Sequence, residues 1–180
     1  MKIEGVWLPI ITPFKDGEID LQSYVELIDH YINQGITGIM PLATTGESPT
    51  IDEDEYERVL DKTVETVNGR IPIFVGHGGN HTKKVIKQLK LIEKYKVDGI
   101  LSVSPYYNRP SQDGIYEHFL RLSEATSLKI MIYNVPYRTG TNIENETVYK
   151  LAESENIIGI KDSSGNISQS LELLMDPAKD

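Results

Sequence analysis

The sequence predicts an α/β protein on the plan of a TIM-type (β/α)8 barrel, and three observations carry that prediction. Short apolar runs alternate with segments of helical period along the chain. The runs are apolar throughout, as parallel strands covered on both faces are. Reactive side chains gather just past the runs, where such a barrel builds its sites: Thr44, Thr45, Tyr106, Tyr107, Tyr133 and Lys161.

The elements follow in order. Val6–Ile11 reads as the first strand and Thr12-Pro13-Phe14-Lys15-Asp16-Gly17 as a loop. Asp20 can cap a helix whose apolar face is Leu21, Tyr24, Val25, Ile28, Tyr31 and Ile32, with Gly35 closing it. Gly38–Leu42 is the second strand. Thr50-Ile51-Asp52-Glu53 has the spacing of a capping box, opening a helix through Tyr56, Val59, Leu60, Thr63, Val64 and Val67 that Asn68-Gly69 ends. Ile71–Val75 is the third strand, followed by a helix with Val85, Ile86, Leu89 and Ile92. Gly99–Val103 precedes a helix through Ile115, Phe119 and Leu122. Ile130–Tyr133 precedes one through Val148, Leu151 and Ala152. Ile157–Ile160 is the sixth strand, and a weak helix holds Leu171, Leu173 and Leu174.

Six βα units also fit a doubly wound sheet, but that fold wants a glycine-rich phosphate fingerprint after the first strand, and the loop 12–17 has no G-x-G-x-x-G. A complete barrel needs eight units and typically about 250 residues. The expectation is therefore one barrel domain over residues 1–180 that lacks its last two βα units and C-terminal helices. Residues 175–180 read as a loop toward a further strand.

Composition narrows the function. Net charge is −9, which repels phosphate backbones and argues against nucleic acid as a partner. The absence of cysteine excludes disulfides, thiolate metal sites and a cysteine nucleophile within these 180 residues. Met1–Gly5 has neither a long apolar run nor a cleavage-site pattern, and no stretch has the length of a membrane span. The expectation is a soluble cytoplasmic protein with no membrane partner.

Lys161 follows four apolar residues and precedes Asp162. Inside a barrel mouth with apolar walls, burial disfavours the ammonium and frees the amine to attack carbonyls. Tyr133, one strand earlier, can pass protons beside an imine. Arg138, in a Pro/Gly loop, can grip a carboxylate with two hydrogen bonds. Ala43-Thr44-Thr45-Gly46-Glu47-Ser48 offers hydroxyls and backbone N–H groups to a small carboxylate. Each has a bland counterpart: a lysine leaving a strand into solvent, a satisfied core tyrosine, a surface arginine, ordinary turn chemistry. Tyr106-Tyr107 is a stacking platform or plain loop aromatics. His77 and His81 are four apart, but Gly78-Gly79 breaks any helix that would align them, and no H-E-x-x-H occurs, so no metal site is expected.

Taken together, Ile11-Thr12-Pro13-Phe14, Thr44-Thr45-Gly46-Glu47-Ser48, Ser104-Pro105-Tyr106-Tyr107-Asn108-Arg109-Pro110, Tyr133-Asn134-Val135-Pro136-Tyr137-Arg138-Thr139-Gly140 and Gly159-Ile160-Lys161-Asp162 resemble the dihydrodipicolinate synthase (4-hydroxy-tetrahydrodipicolinate synthase) family of pyruvate-dependent class I aldolases. The resemblance implies a lyase of lysine and diaminopimelate biosynthesis that condenses pyruvate with aspartate semialdehyde. Lys161 would form the imine. Tyr133, Thr44 and Tyr107 would relay protons, Tyr107 from a neighbouring subunit. Thr45 would hold the pyruvate carboxylate and Arg138 that of the semialdehyde. No cofactor is implied, because the lysine imine is itself the electron sink, and the family is commonly a homotetramer built as a dimer of dimers. Sialic-acid and sugar-acid lyases share the lysine and tyrosine but generally lack Tyr-Asn-x-Pro-x-Arg-Thr. A non-catalytic fragment is the remaining alternative.

The sequence departs from the family pattern in three places. Ala43 replaces a glycine, which would be strained if the backbone needs positive φ. In the lysine-regulatory pocket Asn80 and Tyr106 are kept, but Lys84 stands where lysine-inhibited relatives carry glutamate and Tyr56 where they carry histidine. A cation at Lys84 would repel a bound lysine ammonium, so weak inhibition is expected. The last two βα units, which supply backbone groups around pyruvate, are the third departure.

Overall fold

The structure, a computed structural model, describes residues 3–175. Its elements run β1 (Trp7–Pro9), β2 (Phe14–Lys15), β3 (Glu18–Ile19), α1 (Leu21–Asn33), β4 (Gly38–Met40), α2 (Glu53–Val67), β5 (Phe74–Gly76), α3 (Thr82–Ile92), β6 (Gly99–Val103), α4 (Gln112–Ala125), β7 (Lys129–Asn134), α5 (Pro136–Thr139), α6 (Asn145–Leu151), β8 (Ile157–Asp162) and α7 (Ile167–Met175). Three-residue 3-10 turns lie at Thr44–Gly46 and Ser48–Thr50. Among the described residues there are six strand-then-helix units, as the alternation predicts. Of the expected loop 175–180, Met175 instead ends α7, and the remainder lies outside the described residues. The contacts sort into two compact units: residues 3–77 with 90–101, and residues 78–89 with 102–175.

In the first unit, β1 pairs with β4 and β5 with β6, both parallel, and an Ile39–Ile73 bridge continues the parallel run. Asp20 caps α1 as expected: its carboxylate accepts the Ser23 N–H at 3.0 Å and the Ser23 hydroxyl at 2.7 Å. Those two bonds hold its carboxyl below the usual range. Helix α1 lies on α2, burying Tyr24 and Ile28 against a face with Val59, Leu60 and Val67. The Thr63 hydroxyl gives its proton to the Val59 carbonyl at 2.7 Å, so the Tyr24 hydroxyl, 2.9 Å away, donates to Thr63. Burial pushes the Tyr24 phenol up, which keeps it a donor.

Two local expectations fail in this unit. The loop 12–17 hides a hairpin, with Phe14 opposite Ile19 and Lys15 opposite Glu18. Asp16-Gly17 turns it with φ of 54° and 88°, the Asp-Gly signature of a type I′ turn. The capping box sits two residues late: Asp52 and Glu55 exchange the bonds, with the Asp52 N–H donating to Glu55 at 2.9 Å. Thr50 instead closes the preceding 3-10 turn onto the Glu47 carbonyl. Asn68, at φ 44°, ends α2 as expected.

In the second unit, β7 and β8 run parallel, α4 packs on α6 and α6 on α7. Ile115, Phe119 and Leu122 of α4, Ile130 and Ile132 of β7, and Val148 and Leu151 of α6 are buried. The expectation of strands covered on both faces holds for β4, β5 and most of β7, but β8 is half-exposed beyond Ile157. Helix α7 buries no residue.

Candidate active site

Tyr133 and Lys161 stand directly opposite each other on β7 and β8, with Asn134 opposite Asp162. A β-bulge produces this pairing. Ile130 pairs with Ile157, but the next residue, Met131, pairs with Gly159, so Ile158 is the extra residue. An unbroken register would set Tyr133 against Ile160 and turn Lys161 to the other face. With the bulge, parallel neighbours share a face, and the Lys161 Nζ lies 4.4 Å from the Tyr133 ring centroid. Tyr133 is 9% exposed. Lys161 is half-buried, so the fully apolar walls expected around its amine are not what this strand provides.

The residues after this pair are tied into one network, which the sequence reading passed over. The Asn134 amide donates to the Asp162 carboxylate at 3.0 Å and to the Asn142 side-chain oxygen at 2.9 Å, and its oxygen accepts the Ile143 N–H at 3.1 Å. Asp162 also accepts the Ser170 hydroxyl at 2.5 Å, and the Ser164 hydroxyl and N–H at 2.9 and 3.1 Å. Burial opposes its ionisation, but the bonds from Ser170, Ser164 and Asn134 outweigh that and hold the carboxyl below its usual range. The anion beside Lys161 is thus satisfied by neutral donors. The only hint in the sequence is that Asn134 and Asp162 each follow a candidate residue.

Arg138 lies on α5, a short helix inside the predicted Pro/Gly loop. Pro136 opens it and Gly140, at φ 75°, closes it. The Arg138 side chain is exposed. Tyr107 is 89% exposed and Tyr106 40%. Tyr107 and Arg109 both take left-handed torsions, φ 70° and 50°, which cost non-glycine residues about 1–2 kcal/mol each. The loop they belong to is pinned at two points: the Asn108 amide donates to the Asn80 carbonyl and the Arg109 Nε to the Gly140 carbonyl, each at 2.9 Å. Lys84 is exposed in the first turn of α3, where the helix dipole is positive and no acidic residue offsets it.

Thr44, Thr45 and Gly46 form a 3-10 turn in the first unit, both threonines exposed. Leu42 and Glu47 bracket it at φ 57° and 55°. Ala43 has φ −88°, so the strain expected of alanine here does not arise. The Thr12 hydroxyl donates to the Gly46 carbonyl at 2.8 Å. A Cβ on Gly76 would lie 2.3 Å from the Leu42 carbonyl oxygen, so the turn packs on bare backbone. The Tyr56 hydroxyl reaches the Gly76 carbonyl at 3.3 Å, and burial pushes its phenol up. Among the described residues, no group of three or more His, Asp or Glu side chains is arranged to hold a metal ion. None of the described helices is long and apolar enough to cross a membrane.

The model of the dihydrodipicolinate synthetase family matches residues 2–180. The chain belongs to that family. It is 59% identical to 4-hydroxy-tetrahydrodipicolinate synthase 2 of Clostridium acetobutylicum over 97% of this chain and 61% of that protein. Its structure matches the 4-hydroxy-tetrahydrodipicolinate synthase of Methylacidiphilum fumariolicum SolV with a TM-score of 0.94 and 44% identity, covering 99% of this chain and 60% of the other. It also matches the dihydrodipicolinate synthase of Acinetobacter baumannii, a chloride-inhibited enzyme complexed with pyruvate, with a TM-score of 0.93 and 39% identity, over 96% and 60%. The chain thus spans about three fifths of the length of these relatives, and its fold class is that of their TIM barrel, represented among the described residues by six βα units.

Proposed function

We propose that this chain carries the condensing site of a 4-hydroxy-tetrahydrodipicolinate synthase, a lyase joining pyruvate to aspartate semialdehyde. The observation that carries the reading is the bulge-set pairing of Tyr133 with Lys161, Nζ 4.4 Å from the ring centroid, in a chain of this family. The Lys161 amine adds to the ketone carbon of pyruvate. Tyr133 passes a proton to the carbinolamine oxygen, which leaves as water, and the imine forms. Loss of a methyl proton gives the enamine, whose carbon adds to the aldehyde carbon of the second substrate. The amino group of that substrate then attacks the imine carbon, closing the ring and releasing Lys161. The imine is the electron sink, so no metal or organic cofactor is required.

Thr44 and Tyr107 extend the proton relay in this reading, and Thr45 holds the pyruvate carboxylate. Arg138, exposed at the tip of its turn, takes the carboxylate of the semialdehyde. The 89% exposure of Tyr107 suits a side chain that works in a second subunit, in line with a homo-oligomer, a dimer of dimers, in the cytoplasm. Lys84, the cation of the regulatory set that the family resemblance assigns with Asn80 and Tyr106, makes that site a poor receptor for lysine in this reading. Lysine titrated against activity should inhibit weakly, and Lys84→Glu should raise sensitivity.

The test is substrate choice in the natively expressed protein. Turnover of pyruvate with aspartate semialdehyde, and little with sugar aldehydes, is expected, and Arg138→Met should raise KM for the semialdehyde at least tenfold. Turnover with sugar aldehydes alone would refute the substrate assignment.

A further inference from the structure

We propose that Arg109 is a positioning residue for the second substrate: its Nε–H fixes the carbonyl that closes the Arg138 turn, and so sets where the Arg138 guanidinium points. The inference rests on the reading of Arg138 given above.

Arg138 stands on a four-residue helix whose last anchor is Gly140. The Gly140 N–H bonds back to Pro136 at 2.8 Å. Its carbonyl accepts the Arg109 Nε–H at 2.9 Å, and the residue itself takes φ 75°. The stem of Arg109 also lies across this glycine. A Cβ on Gly140 would come 3.2 Å from Nε, 3.3 Å from Cδ and 3.4 Å from Cγ. The arginine therefore holds the turn by a directed bond and by contact along its length.

Arg109 is itself held in place. It takes φ 50° two residues after Tyr107 at φ 70°. Left-handed torsions at two such residues persist only where surrounding bonds fix them. Here the Asn108 N–H returns to the Tyr106 carbonyl at 2.8 Å and the Asn108 amide to the Asn80 carbonyl at 2.9 Å. The segment that presents Tyr107 is thus tied to the segment that presents Arg138 by the Arg109 Nε–H bond and the arginine stem over Gly140. A substrate carboxylate gripped by two bonds needs its arginine aimed closely, and such aim is lost before overall binding of pyruvate is.

The bond calls for a donor at one place and not for a charge. Glutamine carries its Nε2 as many bonds from Cα as arginine carries Nε, whereas methionine has similar length and no donor. Steady-state kinetics on the natively expressed protein, with borohydride trapping of pyruvate on Lys161, separate the possibilities. Arg109→Met should raise KM for aspartate semialdehyde about five- to twentyfold, with KM for pyruvate and the trapping rate unchanged. Arg109→Gln should restore the semialdehyde KM to within about twofold of the parent. The proposal is overturned if Arg109→Gln is as impaired as Arg109→Met, since charge would then be the active feature. It is overturned too if Arg109→Met slows pyruvate trapping equally, which would mark a general structural role. Arg138→Met is the reference. If it leaves the semialdehyde KM unchanged, the reading of Arg138 falls and this inference with it. If it raises that KM while Arg109→Met does not, only the positioning role falls.

Discussion

The pair at the ends of β7 and β8 and the turn at Thr44–Gly46 reach their positions by different physical means. Tyr133 and Lys161 are aimed by strand register: one extra residue, Ile158, turns the lysine onto the face of the tyrosine. The threonine turn is shaped by torsion and close packing, with Leu42 and Glu47 left-handed and Gly76 bare against the Leu42 carbonyl. Register is shared by every bond in the ladder, so it tolerates side-chain change. A strained turn depends on a few contacts and should fail at single atoms.

Predictions follow from this contrast, largest effect first. Tyr133→Phe keeps the ring under Nζ and removes only the hydroxyl. It should leave unfolding unaltered and slow imine formation about a hundredfold, about 2.7 kcal/mol of barrier, in a stopped-flow or quench experiment with pyruvate. Equal loss of stability would mean that the phenol serves packing. Gly76→Ala should do the reverse. Its methyl meets backbone at 2.3 Å, so a cost of roughly 2–3 kcal/mol and a Tm lower by about 5–10 °C are expected in a thermal melt. A melt unchanged within a degree would show that the turn yields.

Asp162→Asn tests whether the register region leans on its network. The carboxylate receives its bonds from Ser170, Ser164 and Asn134, and the variant should lose about 1–2 kcal/mol in urea unfolding near neutral pH. The carboxyl is depressed in the folded state from an ordinary 3.8. Its contribution is therefore present above that value and lost as pH falls through the lower folded value. The gap between parent and variant should close below pH 3.8, and a gap that widened there would contradict the network. The smallest effect belongs to Glu47→Asn. Glu47 is exposed at φ 55°, asparagine enters this region more readily, and a gain of about 0.5 kcal/mol is expected.

What the sequence displayed and what it hid divide along the same line. Periodicity located β6 at its observed ends and the buried faces of α1, α2 and α4, because burial repeats every 2 or 3.6 residues. The cap at Asp20 and the stop at Asn68 were visible because single residue types carry them. The family motifs named Lys161, Tyr133 and Arg138. They did not display Asn134 and Asp162 as a bonded pair, nor Arg109 on Gly140, since those partners are 28 and 31 residues apart. The bulge at Ile158 was hidden because an extra residue in an apolar run leaves the run apolar. Gly159, a glycine inside a strand, was its one trace. The 14–19 hairpin was misread although Asp16-Gly17 announces it, because two-residue strands are too short to alternate visibly.

The most direct measurement is borohydride reduction of the natively expressed protein in the presence of pyruvate, followed by peptide mapping. If the bulge delivers the Lys161 amine to a site that takes a ketoacid, one reduced pyruvyl group appears on the peptide containing Lys161 and vanishes in Lys161→Arg. A folded protein that stays unlabelled, or takes up label evenly on exposed lysines such as Lys84, would contradict the account.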